Sequence, residues 1–246
     1  MPSAERAPIS LVTGGGRGIG YEVVAQLAGA GHRVLLGARD RDAGRRAAAR
    51  LRAEGGDVEC VELEVTDARS VARAARHVEQ RHGVLDVLVN NAGILLEKDE
   101  LPSETPLDLV RSTFETNVFA VMSVTNAMLP LLRRSPAARV VNLASQLGSL
   151  TLTGDPSGIY CRDPKLGYSP SKSALHSLTV MYANEFRHTT MKFNGADPGW
   201  CATDINGYTG SRTPRQGAAV VVALATLGAD GPTGGCFSDG GVVLPW

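Results

Sequence analysis

The chain has 246 residues, enough for one large α/β domain or two small ones, and 43% of them are hydrophobic, ample for a sizeable core. Lysine plus arginine and aspartate plus glutamate number 25 each, so no net field recruits nucleic acid or an acidic membrane. The four cysteines (Cys60, Cys161, Cys201 and Cys236) form no CxxC pair and have no histidine at ligand spacing, which argues for reduced thiols and against a disulfide framework or a bound metal.

The start, "MPSAERAPIS", has no apolar core of a secretory signal, so a cytoplasmic protein is expected. "ISLVTG" (9–14) reads as the first strand, and "TGGGRGIG" then crowds five glycines into seven positions. Glycine that dense is costly in any regular element. A helix start offers unpaired N–H groups and a positive dipole end, which suit a pyrophosphate where no Cβ blocks its approach. The GxGxxG spacing is not met, because with Gly14 and Gly16 fixed the last position is Ile19. The spacing that is met is Thr13-Gly14, three residues, then Gly18-Ile19-Gly20.

From there the sequence alternates. "GYEVVAQLAGAG" has helical periodicity, "RVLLGA" (33–38) reads as a strand, "DAGRRAAARLRAEG" as a helix and "VECVELEV" (58–65) as a strand. The helix "ARSVARAARHVEQRHG" precedes the strand "LDVLVNNAG" (85–93), and "LDLVRSTFETNVFAVMSVTNAML" reads as one long helix before "RVVNLAS" (139–145). Residues 146–167 carry no clear period, and their prolines and glycines mark a loop. "SKSALHSLTVMYANEFRH", "MKFNGADPG" (191–199), "RQGAAVVVALATLG" and "GCFSDG" (235–240) complete the alternation. The longest apolar run, 218–229, falls short of the ~20 residues needed to span a bilayer. Strand and helix alternating without a linker predict a single domain over 1–246. Its fold class is α/β: a Rossmann-type, doubly wound parallel sheet of about seven strands with helices on both faces. Ligands of such a sheet bind outside the carboxyl ends of its strands.

Tyr168 and Lys172 are four residues apart, a spacing that puts both on one helix face. Pro170 is tolerable only in a first turn, so that helix is expected to begin near Tyr168. An ammonium beside a phenol favours the phenolate, so Lys172 is expected to lower the proton affinity of Tyr168. Ser145 ends a strand, where its hydroxyl is placed to hydrogen-bond a carbonyl oxygen. Asn117 sits mid-helix beside Phe114, Val118 and Val121. Taken singly, each admits a plain alternative: a surface tyrosine with a solvated lysine, a serine capping a turn, a surface asparagine.

Together, the glycine segment, "NNAG" at 90–93, Ser145, "YSPSK" at 168–172 and "PGWCAT" at 198–203, in this order over nearly the whole chain, resemble the short-chain dehydrogenase/reductase family, in its carbonyl-reductase-like form. The resemblance implies a catalytic set of Asn117, Ser145, Tyr168 and Lys172. Tyr168 would protonate a carbonyl oxygen that Ser145 orients, Lys172 would bind the nicotinamide ribose, and Asn117 would hold a helix distortion and a relay to solvent. It implies cofactor contacts from Thr13, Gly14, Gly18, Ile19 and Gly20. Glu64 and Val65 of "LEVTD" would lie at the adenine, where the family usually has aspartate in place of Glu64. Asn91, Ala92 and Gly93 would lie along the adenosine ribose side, and Pro198, Gly199 and Thr203 near the nicotinamide.

The second strand ends on Ala38 where an NAD-binding protein would carry an acid, and Arg39 follows, with Arg17 in the glycine segment. Two guanidinium groups suit a 2′-phosphate, so NADP(H) is the expected cofactor. Asp40 keeps an NAD-dependent alcohol dehydrogenase as the alternative, and a catalytically idle dinucleotide-binding protein is another. The expected partner is a small carbonyl or alcohol with an apolar body, met by Trp200, Leu147, Tyr160 and Leu95, and no nucleic acid, membrane or metal is expected. The 22 residues between Ser145 and Tyr168 resemble the insertion of monomeric carbonyl reductases. An insertion lying over the helix that bears the YSPSK segment favours a monomer, with a homodimer as the alternative.

Overall fold

Each apolar run becomes a strand whose successive side chains point to opposite faces. The computed structural model describes residues 6–98, 100–162 and 164–246. The first five positions of the "MPSAERAPIS" segment, Asp99, and Asp163 of the 146–167 loop lie outside the described residues. The strands are β1 (Ile9–Val12), β2 (Arg33–Ala38), β3 (Val58–Glu62), β4 (Val87–Asn90), β5 (Arg139–Leu143), β6 (Lys192–Ala196) and β7 (Cys236–Phe237). All pair in parallel, in the order β3-β2-β1-β4-β5-β6-β7. All seven expected strands are present, but six are shorter than their apolar runs. In β1, for example, the backbone leaves the ladder after Val12 and Gly14 takes a left-handed φ of +62°.

The helices are α1 (Gly18–Gly29), α2 (Arg41–Ala53), α3 (Ala68–His82), α4 (Leu107–Phe114), α5 (Ala120–Leu132), α6 (Leu150–Thr153), α7 (Tyr168–Glu185) and α8 (Pro214–Ala225). Local chemistry starts several of them. Asp40 and Asp67 accept main-chain N–H groups at the heads of α2 and α3, and Thr213 with Gln216 forms a capping box on α8. The long helix expected from 107 to 129 is a correction: it is two helices, α4 and α5, joined through a π turn at Glu115–Phe119. Asn117 sits inside that turn. The 146–167 loop holds α6 and short 3-10 turns at Gln146–Gly148 and Tyr160–Arg162.

The sheet divides the core in two. Leu11, Leu35, Leu88, Val140 and Phe193 face α3, α5 and α7. Their neighbours Val12, Leu36, Val89 and Val141 face α1, α2 and α8. Across the first face runs a buried polar ladder. Asn90 donates to Asn142 (2.9 Å) and to Thr125 on α5 (3.0 Å), and Asn142 donates to Thr179 on α7 (2.9 Å). Fully partnered, such a network fixes helix register on the sheet. Strand order reverses between β1 and β4, so a crevice opens at their carboxyl ends.

Candidate active site

The glycine segment is held from below by the "NNAG" residues. Thr13 Oγ1 accepts the N–H groups of Asn91 (3.0 Å) and Ala92 (2.9 Å). The Asn91 side-chain amide donates to the carbonyls of Thr13 (2.8 Å) and Gly14 (3.2 Å). Asn91 and Ala92, expected along a ribose, thus spend these polar groups on bracing the loop. A Cβ on Gly20 would overlap the Asn91 amide and the Gly14 carbonyl, which explains that glycine. A Cβ on Gly16 would meet only Ala38, at 3.9 Å, so the loop faces open space there. Ile19 packs partly into the core, and Thr203 closes on Gly18 from the segment after β6, 3.5 Å from where a Cβ would stand. Gly18 and Gly199 have φ of +55° and +71°, which only glycine adopts cheaply. Pro198 is buried against Gly217 at the head of α8. A bare, amide-lined loop leading into a helix fits a dinucleotide pyrophosphate.

At the end of β2, Ala38 is nearly buried and Arg39 projects into solvent, its guanidinium 3.7 Å from the Glu64 carboxylate. Glu64 also accepts from Thr66 (2.9 Å), while Val65 is buried in the core. Asp40 accepts from Asp42 N (3.0 Å) and Ala43 N (2.9 Å), and those bonds hold its carboxyl below the usual range. Arg17 reaches Asp204 at 2.6 Å, which ties the glycine segment to the "PGWCAT" loop.

α7 begins at Tyr168, as Pro170 requires. What aims it was not visible in the sequence. Glu97, buried in the loop after β4, receives the main-chain N–H groups of Gly167 and Tyr168, the latter at 3.0 Å. A carboxylate there satisfies first-turn donors and meets the positive helix end. One turn along, Lys172 is buried, and its ammonium donates to the Leu143 carbonyl at the end of β5 (2.7 Å) and lies 5.4 Å from the Tyr168 ring centre. Ser145 Oγ accepts from Leu147 N (3.2 Å), and the hydroxyl lies near enough to Tyr168 to oppose the rise in the phenol's proton affinity. Asn117 Oδ1 accepts from Ile94 N (2.9 Å), while its amide donates to Ile94 O (2.9 Å) and Ser171 Oγ (3.1 Å). A Cβ on Gly93 would stand 3.3 Å from Asn117 Oδ1 and 3.8 Å from Lys172 Nζ, so Gly93, Asn117 and Lys172 share one corner.

Electrostatics overturn one expectation. The phenol of Tyr168 is not lowered but pushed up to about 12, by burial and by the negative charge of Asp197. Lys172 falls to about 8, because burial outweighs the attraction of Asp197. Desolvation disfavours both charged forms, so near pH 7 Tyr168 is the neutral phenol, while Lys172, though lowered, still holds its proton.

The 146–167 insert packs Gly148 against Lys172 and His176 on α7, where a Cβ would crowd the Lys172 backbone at 2.7 Å. It leaves Phe119 and Met181 more than half exposed, so the expected cover over that helix face extends only to the first turns of α7. Leu95, Leu147 and Tyr160 are half-buried, Tyr160 bonding to Gln146, while Trp200 is exposed with its indole N–H on the Thr209 carbonyl. No group of histidine, cysteine and carboxylate side chains suited to a metal, and no helix long and apolar enough to cross a membrane, occurs among the described residues.

Replacing Glu97 with alanine should cost about 1–2 kcal/mol, the range for losing a helix cap, and lower the melting temperature. Because the lost bonds are those that place Tyr168, turnover should fall further than the loss of folded protein explains. Thermal unfolding and turnover measured on one preparation check this.

A family model described as short chain dehydrogenase matches residues 8–213. The chain is 33% identical to a short-chain dehydrogenase of Penicillium roqueforti over 92% of its own length and 91% of that protein's. It is 30% identical to carbonyl reductase [NADPH] 1 of Rattus norvegicus, with 97% and 98% covered. The solved structure of NADPH-bound carbonyl reductase from chicken fatty liver superimposes with a TM-score of 0.85 at 28% identity, covering 98% of this chain and all of that one.

Proposed function

The chain belongs to the short-chain dehydrogenase family, and we propose that this oxidoreductase reduces a ketone or aldehyde with NADPH, reversibly, to an alcohol. The observation that carries the reading is the convergence of Ser145, Tyr168 and Lys172 at the end of β5, with Gly93 and Asn117 beside them. NADPH, when bound, supplies a hydride for the carbonyl carbon. Tyr168 gives its phenolic proton to the carbonyl oxygen. Its high proton affinity keeps it in the acid form at neutral pH. Ser145 already accepts from Leu147 N, so its own O–H is free to donate to the same oxygen as charge builds there. Lys172 holds the nicotinamide ribose hydroxyls, and Asn117, in the π turn, connects Lys172 to solvent.

Several features support NADPH over NADH. Ala38 stands where a carboxylate would meet a free ribose hydroxyl, Arg39 follows it, and Asp40 is occupied as the α2 cap. Relatives named for NADPH agree. The reading is tested with a panel of ketones and aldehydes, each offered with NADPH and with NADH, by the loss of reduced-nicotinamide absorbance. Turnover of some carbonyl with NADPH is expected. A panel inert with both cofactors contradicts the reading and favours an idle dinucleotide-binding protein.

We keep a monomer as the proposed assembly, on the length of the insert. The homodimer would bury Phe119 and Met181, and light scattering at micromolar concentration giving twice the chain mass would establish it.

A further inference from the structure

Behind Tyr168 and Lys172 lies a buried carboxylate that the chemistry above does not use. Asp197 follows β6 and is 3% exposed. Leu143, whose carbonyl holds Lys172 Nζ, pairs in register with Ala196, the residue before Asp197. The ammonium and the carboxylate therefore sit at the ends of adjacent strands, a spacing of about 4.8 Å between strand axes. Asp197 Oδ1 accepts the N–H of Gln146, the residue after Ser145, at 3.2 Å. Oδ2 is buried with no hydrogen-bond partner. A buried polar atom left unpaired is costly, and this one stands at the end of the strand next to the one whose carbonyl holds Lys172.

We propose that Asp197 is a positioning residue whose negative charge, acting through space, holds Tyr168 as the phenol and Lys172 as the ammonium and so biases the site towards proton donation. The inference rests on the reading of Tyr168 as proton donor. The titratable groups that face Asp197 are Tyr168 and Lys172 from α7, Cys236 from β7, Cys201 and Arg212 from the segment before α8, and Tyr160 from the insert. Burial raises Cys236 to about 12 and also raises Cys201 and Tyr160, so all three are neutral near pH 7. His176, one turn beyond Lys172, is lowered to about 4 and is neutral too. The formal charges left in this pocket are Asp197, Lys172 and Arg212. Burial raises Asp197 above its usual value, while the N–H groups of Gln146 and Gly199 and the Arg212 guanidinium favour its anion. The anion in turn favours the protonated form of both Tyr168 and Lys172.

Asp197→Asn keeps the shape and an acceptor for Gln146 N but removes the charge, so both protons leave the pair at lower pH. Reduction needs the phenol, so its alkaline limb in kcat/KM moves down by about one pH unit. Oxidation needs the phenolate, so its alkaline rise moves down by the same amount. Asp197→Glu, which keeps the charge, retains the wild-type limbs, and a purely structural role would lower both rates without moving either limb. Should the asparagine variant fail to fold, Asp197→Ser removes the same charge and is read the same way. A wild-type enzyme that turns over, paired with uncharged variants whose limbs stay put, overturns the role of Asp197 and leaves the proposed function standing. A wild type inert towards the carbonyl panel overturns the proposed function instead. The tyrosinate absorbance of Tyr168, taken as wild type minus Tyr168→Phe, then decides: its midpoint falls in the Asp197→Asn background if Asp197 acts as described, and an unmoved midpoint overturns it.

Discussion

Replacing Tyr168 with phenylalanine should lower turnover by roughly 10²–10⁴ while NADPH binding survives, the range for removing a positioned proton donor. The ring, and with it the contact to Lys172, is kept. The bonds that anchor the residue are main-chain bonds: Tyr168 N to Glu97, and Ser171 Oγ to the Tyr168 carbonyl at 2.6 Å. Phenylalanine leaves both intact, so α7 should start in the same place. A melting temperature near wild type and an unchanged NADPH titration would show that only the hydroxyl has gone. Wild-type turnover in a variant that binds NADPH normally would remove Tyr168 from the mechanism.

Cofactor choice carries the second large effect, and charge decides it. A hydrogen bond to a charged group contributes about 1.5–3 kcal/mol when well formed. Arg39 is 80% exposed and has Glu64 as a competing partner at 3.7 Å, which keeps the value near the lower end. Arg17 is held by Asp204 at 2.6 Å and should contribute less than its place in the glycine segment suggests. At about 1.4 kcal/mol per tenfold, the expected preference for NADPH is roughly ten- to a hundredfold in kcat/KM. Arg39→Ala should erase most of it by weakening NADPH alone. Ala38→Asp should go further, because a carboxylate there repels the phosphate and accepts from free ribose hydroxyls. The preference should also shrink as salt rises. Equal use of both cofactors by the wild type, or equal weakening of both by Arg39→Ala, would return the ribose to Asp40.

The sheet was legible because parallel strands buried on both faces must be nearly continuous apolar runs, and "RVLLGA" could be little else. Strand ends were less legible: 85–93 reads as one apolar run, yet Asn91 and Ala92 leave the ladder to brace the glycine segment. The start of α7 was fixed in advance by Pro170. The π turn at Asn117 has no local signature, since periodicity over 107–129 continues through it and only the resemblance suggested a distortion. Glu97 and Asp197 were missed for one physical reason. Each acts on a helix or strand distant in sequence, Glu97 on the residue 71 positions away, and no pattern of neighbours marks such a carboxylate. The Tyr168 expectation failed on the same account. Spacing brings an ammonium near the phenol, but only the fold shows the burial and the Asp197 charge that outweigh it.

On the proposed function, hydride from NADPH and a proton from Tyr168 carry a carbonyl to an alcohol. The most direct test uses NADPH bearing deuterium at the transferable position, a carbonyl drawn from the panel, and mass analysis of the alcohol formed by the wild type and by Tyr168→Phe. One deuterium on the carbinol carbon of the wild-type product, and little product from the variant, are expected. An alcohol without deuterium, or equal yields from the two proteins, would contradict that function.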